Sequence, residues 1–141
     1  HLPEATVHLQ RAQSLRPHDA SAHYQFGKAL YALGRLDKAQ SEFEETLRLR
    51  PIHADALNDL GIIIAQNGGG GSASRAQNLF RQAIEIDPSF ADAHFNLGVW
   101  YWMEGKLSLA EASFRTAIRL DPNHPFAHET LERVRREEGL E

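Results

Sequence analysis

Eight histidines and 19 acidic residues give this 141-residue chain the raw material for metal binding or acid–base chemistry. Their spacing supports neither. His124 and His128 stand four apart, but Pro125 starts a helix between them. His18, His53 and His124 fall in turns, and no carboxylate–histidine cluster occurs at ligand spacing. Glu44–Glu45 and Glu137–Glu138 are adjacent on helices, so their side chains diverge and read as solvated faces. No nucleophile with a nearby base is visible. The chain has no cysteine, which excludes a disulfide scaffold and a thiolate metal site. The expectation is a chain without catalytic residues, metal or cofactor.

The bulk properties fit a folded domain, with 42% apolar and 24% charged residues. A net charge of -4 without a basic stripe argues against a nucleic-acid partner. The longest apolar runs, residues 60–65 and 98–103, are too short to span a bilayer, so no membrane role is expected.

The elements that must position any site are announced by a repeat. Prolines recur at Pro17, Pro51, Pro88 and Pro122, in steps of 34, 37 and 34 residues. Each sits in a similar phrase: LRPHDASAH, LRPIHADAL, IDPSFADAH and LDPNHPFAH. Gly27, Gly61 and Gly98 keep the same rhythm, as do Ala39, Ala76 and Ala110 and, four residues later, Phe43, Phe80 and Phe114. Between prolines, apolar residues at helical spacing predict two amphipathic helices per period. The first helices are predicted at 20–33, 54–66 and 91–104, the second at 37–48, 74–86 and 108–120. Gly34 and Gly105 are placed to end first helices in the left-handed conformation. Asp37, Ser74 and Ser108 have the chemistry of N-caps, and the prolines stop the second helices for want of an amide.

This pattern resembles the tetratricopeptide repeat family. Repeat one supplies Phe26-Gly27, Leu30, Ala39, Phe43, Thr46 and Pro51. Repeat two supplies Leu60-Gly61, Ile64, Ala76, Phe80, Ala83 and Pro88. Repeat three supplies Leu97-Gly98, Tyr101, Ala110, Phe114, Ala117 and Pro122. The family's frequent tryptophan early in the first helix is replaced by His23, Leu57 and His94. The resemblance implies an all-α fold, a right-handed superhelical solenoid of antiparallel helix pairs. The repeated glycines and alanines then serve close packing, with the phenylalanines filling the space between. Residues 1–19 read as the second helix of a repeat whose front half is absent, so the chain is expected to be cut from a longer protein and to expose an apolar strip there. Residues 20–53, 54–90 and 91–124 are three repeats. Residues 125–141 form a cap, where Ala127, Leu131 and Val134 keep the columns of Ala93, Leu97 and Trp100 while Glu132 and Arg135 replace those of Gly98 and Tyr101. By that logic Trp100 packs between repeats two and three. The second repeat carries three extra residues in Asn67–Ala73. A tolerated insertion, a mobile contact loop and an engineered linker all remain open for that segment.

In this family the first helices line a concave groove. The resemblance places Tyr24, Gln25, Lys28 and Tyr31 there from repeat one, and Asn58, Asp59, Ile62 and Gln66 from repeat two. Repeat three adds Asp92, Phe95, Asn96, Val99, Trp102 and Met103. The aromatic and apolar members form a strip a monomer would not leave to water. The amides and carboxylates suit an extended peptide. Lys28, Asn58 and Asn96 suggest the family's carboxylate clamp, but Asp55, Asp59 and Asp92 would repel a C-terminal carboxylate, which favours a neutral or basic peptide. The expected function is therefore a protein–protein interaction scaffold. Two alternatives stand beside it: a homo-oligomer formed through the open N-terminal half-repeat and Trp102, or the non-catalytic arm of a larger enzyme such as a glycosyltransferase. Asn96 fits the asparagine column such arms carry, whereas Gln25 and Asp59 break it.

Overall fold

Proline has no amide to give a helix, and the chain turns at all four periodic prolines. In the computed structural model, which describes residues 1–68 and 71–139, helices end at Leu15, Leu49, Ile86 and Leu120, two residues before each proline. The described residues form eight helices and no strand: α1 (Leu2–Leu15), α2 (Ala20–Ala32), α3 (Leu36–Leu49), α4 (Ala54–Asn67), α5 (Ser72–Ile86), α6 (Ala91–Met103), α7 (Leu107–Leu120) and α8 (Ala127–Glu137). The tightest partners are α2 with α3, α4 with α5 and α6 with α7, and each pair rests on the next. The array is a right-handed superhelical solenoid of antiparallel helix pairs.

The turn inside a pair is closed by a left-handed glycine. Gly34 has φ 75° and Gly105 the same. The Gly34 and Arg35 amides donate to the carbonyls of Tyr31 and Leu30, each at 2.9 Å, and Gly105 and Lys106 repeat the arrangement with Trp102 and Tyr101. So tight a turn returns the chain to helix at once. α3 and α7 therefore start at Leu36 and Leu107, behind Arg35 and Lys106, which offer no capping side chain. This corrects the sequence-based expectation for Asp37, Ser74 and Ser108, all of which lie inside the first turn. Asp37 still sits at the positive end of the α3 dipole. The Gly-rich segment of repeat two contains Gly69 and Gly70, which lie outside the described residues.

Within each pair the axes approach until only glycine fits. A Cβ added at Gly27, Gly61 or Gly98 would lie 2.7 Å from Cε1 of Phe43, Phe80 or Phe114. Those rings are at most 2% exposed, and Ala39, Ala76 and Ala110 beside them are fully buried. Burying each ring contributes roughly 1.5–3 kcal/mol.

The ends differ from the middle. Thr6 is the buried residue of α1, whereas Leu2, Val7 and Leu15 are 47%, 65% and 76% exposed. At the other end, Ala127 and Val134 of α8 are fully buried, while Glu132 faces solvent and Arg135 Nε lies 3.7 Å from Glu111.

Replacing Gly61 with alanine sets two effects against each other. Helix propensity gains about 1 kcal/mol, while forcing a methyl into the Phe80 ring costs about 1–3 kcal/mol. We expect net destabilisation in denaturant melts, reversed when Phe80→Leu is added to Gly61→Ala. A more stable Gly61→Ala single variant would show that the ring has room to move.

Candidate ligand-binding groove

The first helices α2, α4 and α6 lie side by side, so each groove position is a column read across repeats. Tyr24, Asn58 and Phe95 share one column; Gln25, Asp59 and Asn96 the next; Lys28, Ile62 and Val99 a third; Tyr31, Ala65 and Trp102 a fourth. Neighbouring columns are tied diagonally. Tyr24 Oη donates to Asp59 Oδ2 at 2.8 Å, and Gln66 Nε2 donates to Tyr31 Oη at 3.2 Å. Asn96 Nδ2 donates to Asn58 Oδ1 at 2.9 Å, and Trp102 Nε1 donates to Glu137 Oε2 at 2.6 Å. Every tie joins a residue to the position one repeat and one residue further on.

These ties decide which expected groove residues are free. Asn58 is 4% exposed and its amide spans Asp59 and Asn96, so it holds α4 to α6 rather than facing a ligand. Trp102 is bracketed by the cap, with Arg133 stacked 5.0 Å from its ring and Glu137 on its indole nitrogen. Asp92 is exposed, but its Oδ1 accepts from His124 Nε2 at 2.8 Å. Gln25 is exposed, and Val99 and Phe95 are half-buried.

Two clefts open between the first helices. One, of about 240 Å³, is lined by Lys28, Tyr31, Phe43, Asp59 and Ile62. The other, of about 330 Å³, runs from Ile62, Ala65 and Gln66 to Asn96, Val99, Trp100 and Met103, with Phe80 behind them. Ile62 belongs to both. Trp100, 8% exposed, thus lies between repeats two and three.

Histidines brace the groove from beneath, a role their spacing in the sequence did not disclose. Tyr24 packs on Phe43 and His53 at ring separations of 5.7 and 4.7 Å. Phe95 packs on Phe114 and His124 at 5.4 and 4.7 Å. Both histidines also cap helices: His53 Nδ1 accepts from Ala56 N–H at 3.1 Å, and His124 Nδ1 accepts from Phe126 and Ala127 at 3.3 and 3.2 Å. Burial pushes His53 below the usual histidine range, which keeps that lone pair available. Burial likewise pushes Asp59 up, against the pull of its bonds from Tyr24 and Asn58. Tyr24 is raised by burial and by the facing Asp59 carboxylate. Lys28 Nζ lies over the Tyr24 ring at 4.9 Å. No three histidine or acidic side chains converge on a metal-sized site among the described residues, and no described helix is long and apolar enough to cross a membrane.

The model of the tetratricopeptide repeat matches residues 24–68 and 69–125. The chain belongs to the tetratricopeptide repeat family. Solved structures share its architecture. MamA from Desulfovibrio magneticus RS-1 is 25% identical, with a TM-score of 0.83 over 98% of this chain and 76% of that one. The first repeat domain of Spaghetti (RPAP3), solved with an HSP90 peptide, is 16% identical, with a TM-score of 0.77 over 85% and 93%. The Arabidopsis OM64 domain is 20% identical, with a TM-score of 0.77 over 84% and 95%.

Within this tetratricopeptide frame the column usually held by tryptophan carries a histidine that bonds the turn before it. Nε2 of His23, His94 and His128 lies 2.9–3.0 Å from the carbonyls of Pro17, Pro88 and Pro122. His23 goes further: its Nδ1 donates to Glu42 Oε2 at 2.7 Å, so both ring nitrogens face oxygen acceptors. Burial alone would lower its pKa; the Pro17 carbonyl and Glu42 carboxylate outweigh it and leave the value raised. A raised folded value means the ion pair's stabilisation is complete below the ordinary histidine pKa of 6.5 and fades as pH rises through the folded value. His23→Leu, the residue repeat two uses in this column, should therefore lower the melting temperature most in mildly acidic buffer. The gap to the parent chain should narrow towards alkaline pH. A gap independent of pH would refute the ion pair.

Proposed function

We propose that this chain is a protein-interaction scaffold whose concave groove holds an extended partner segment of neutral or basic character. The family's members are generally non-catalytic scaffolds. The observation that carries the reading is the pair of clefts joined at Ile62, which give an extended chain successive apolar seats along one face. Amide and carboxylate groups of Gln66, Asn96 and Asp59 border those seats and can meet backbone amides. The RPAP3 domain solved with a bound HSP90 peptide supports a peptide as the kind of guest this architecture takes.

Charge narrows the guest. Lys28 is the sole lysine or arginine in α2, α4 and α6, against Asp55, Asp59 and Asp92. An acidic tail would meet more repulsion than attraction there. Residues expected to drive self-association divide: Trp102 is engaged by Arg133 and Glu137, whereas Leu2, Val7 and Leu15 stay exposed.

The test is fluorescence anisotropy with short labelled peptides graded from acidic through neutral to basic. Binding should favour neutral and basic members. It should fall about tenfold or more in Ile62→Arg, which fills the junction of both clefts and places a cation there. Circular dichroism of Ile62→Arg should remain helical. Preference for acidic peptides, or indifference to Ile62→Arg, would overturn the reading.

A further inference from the structure

The Asp59 carboxylate is singular in its column, since Gln25 and Asn96 are its counterparts in the neighbouring repeats. Its two oxygens are unequally served. Oδ2 accepts the Tyr24 hydroxyl at 2.8 Å, while Oδ1 has only a long contact, 3.4 Å, from Asn58 Nδ2. Among the described residues Asp59 forms no ion pair; the nearby cation, Lys28, is exposed and held over the Tyr24 ring instead. A half-buried carboxylate with spare acceptor capacity and no counter-ion is an expensive thing to keep in a fold. It lines the cleft of about 240 Å³, whose other walls are largely hydrocarbon and aromatic: Ile62, Phe43 and Tyr31.

We propose that this cleft is the seat of one arginine side chain from the partner segment, with the Asp59 carboxylate as its anchor. The inference rests on the groove reading above and adds which residue the groove selects. An arginine divides as the cleft does. Its methylene stem covers Ile62 and the Phe43 edge, and its guanidinium donates to Asp59 Oδ1 while Tyr24 keeps Oδ2. The flat face of the guanidinium can stack on Tyr31, whose ring is steadied by the bond from Gln66. Lysine fits less well: its compact ammonium is more strongly hydrated and cannot stack in this way. Lys28 acts against any cationic guest from the rim, so the seat selects for the cation that also stacks and is less strongly hydrated.

The test uses the whole chain, labelled for amide NMR, and a small probe, N-acetyl-arginine-N′-methylamide, with its norleucine counterpart as control. The arginine probe should shift amides around Lys28, Tyr31, Asp59 and Ile62, and bind at least about tenfold more tightly than the norleucine probe. Asp59→Asn, which keeps an acceptor for Tyr24 and so preserves the fold, should abolish that preference. Lys28→Met should strengthen binding of the arginine probe. Equal binding of the two probes, arginine binding unchanged in Asp59→Asn, or shifts elsewhere on the surface would overturn the inference. The two proposals fail separately. Longer peptides that bind along the groove regardless of arginine would sink this one alone. An arginine probe seated at Asp59 in a chain that binds no longer peptide would sink the groove reading alone.

Discussion

The contact between a helical glycine and a phenylalanine ring sets the geometry on which everything else in this fold depends. Three times, at Gly27, Gly61 and Gly98, the missing Cβ lets a ring occupy the space a side chain would claim. That contact fixes how closely the two helices of a pair approach. Because it is repeated with the same partners, the three pairs have the same internal spacing. Similar pairs stack one on the next, so the first helices lie side by side and their side chains form columns. The groove is a consequence of that register and has no scaffold of its own.

Much of this was legible in the sequence because periodicity carries it. The proline steps, the glycine, alanine and phenylalanine columns and the left-handed glycines all act within one repeat, and one repeat is what a column displays. The contacts that were not legible run between repeats with an offset. Tyr24 to Asp59, Tyr31 to Gln66 and Trp102 to Glu137 join different columns, and no single column announces them. For the same reason Asn58 read as a groove residue but is buried between helices. The second-helix caps failed for a local reason. The left-handed glycine and its two backbone bonds close the first helix and leave a single residue, Arg35 or Lys106, before the next one, so the second helix starts ahead of the residue with capping chemistry.

The histidines show how one residue type is given opposite tasks by its surroundings. His53 presents a lone pair to a helix amide, and burial lowers its pKa. His23 turns its two ring nitrogens to a carbonyl and a carboxylate, and those acceptors raise its pKa against the effect of burial. Neither role was visible as a motif, since each depends on which atoms the fold brings to the ring.

The diagonal ties are unevenly shared between the two junctions that the clefts straddle. Among the described residues, repeats one and two are laced on both margins: Tyr24–Asp59 and Tyr31–Gln66 on the groove side, Arg75–Glu44 between the second helices α5 and α3, and Asn67–Gln40 from the end of α4 to α3. Repeats two and three are joined by Asn58–Asn96 and Arg81–Tyr101. Three of the first junction's four ties lie exposed to water, whereas both of the second's are half-buried, so the larger number does not make the firmer joint. A guest lying along the groove would therefore cross two joints of different make, a wetter one beside Asp59 and a drier one beside Asn96.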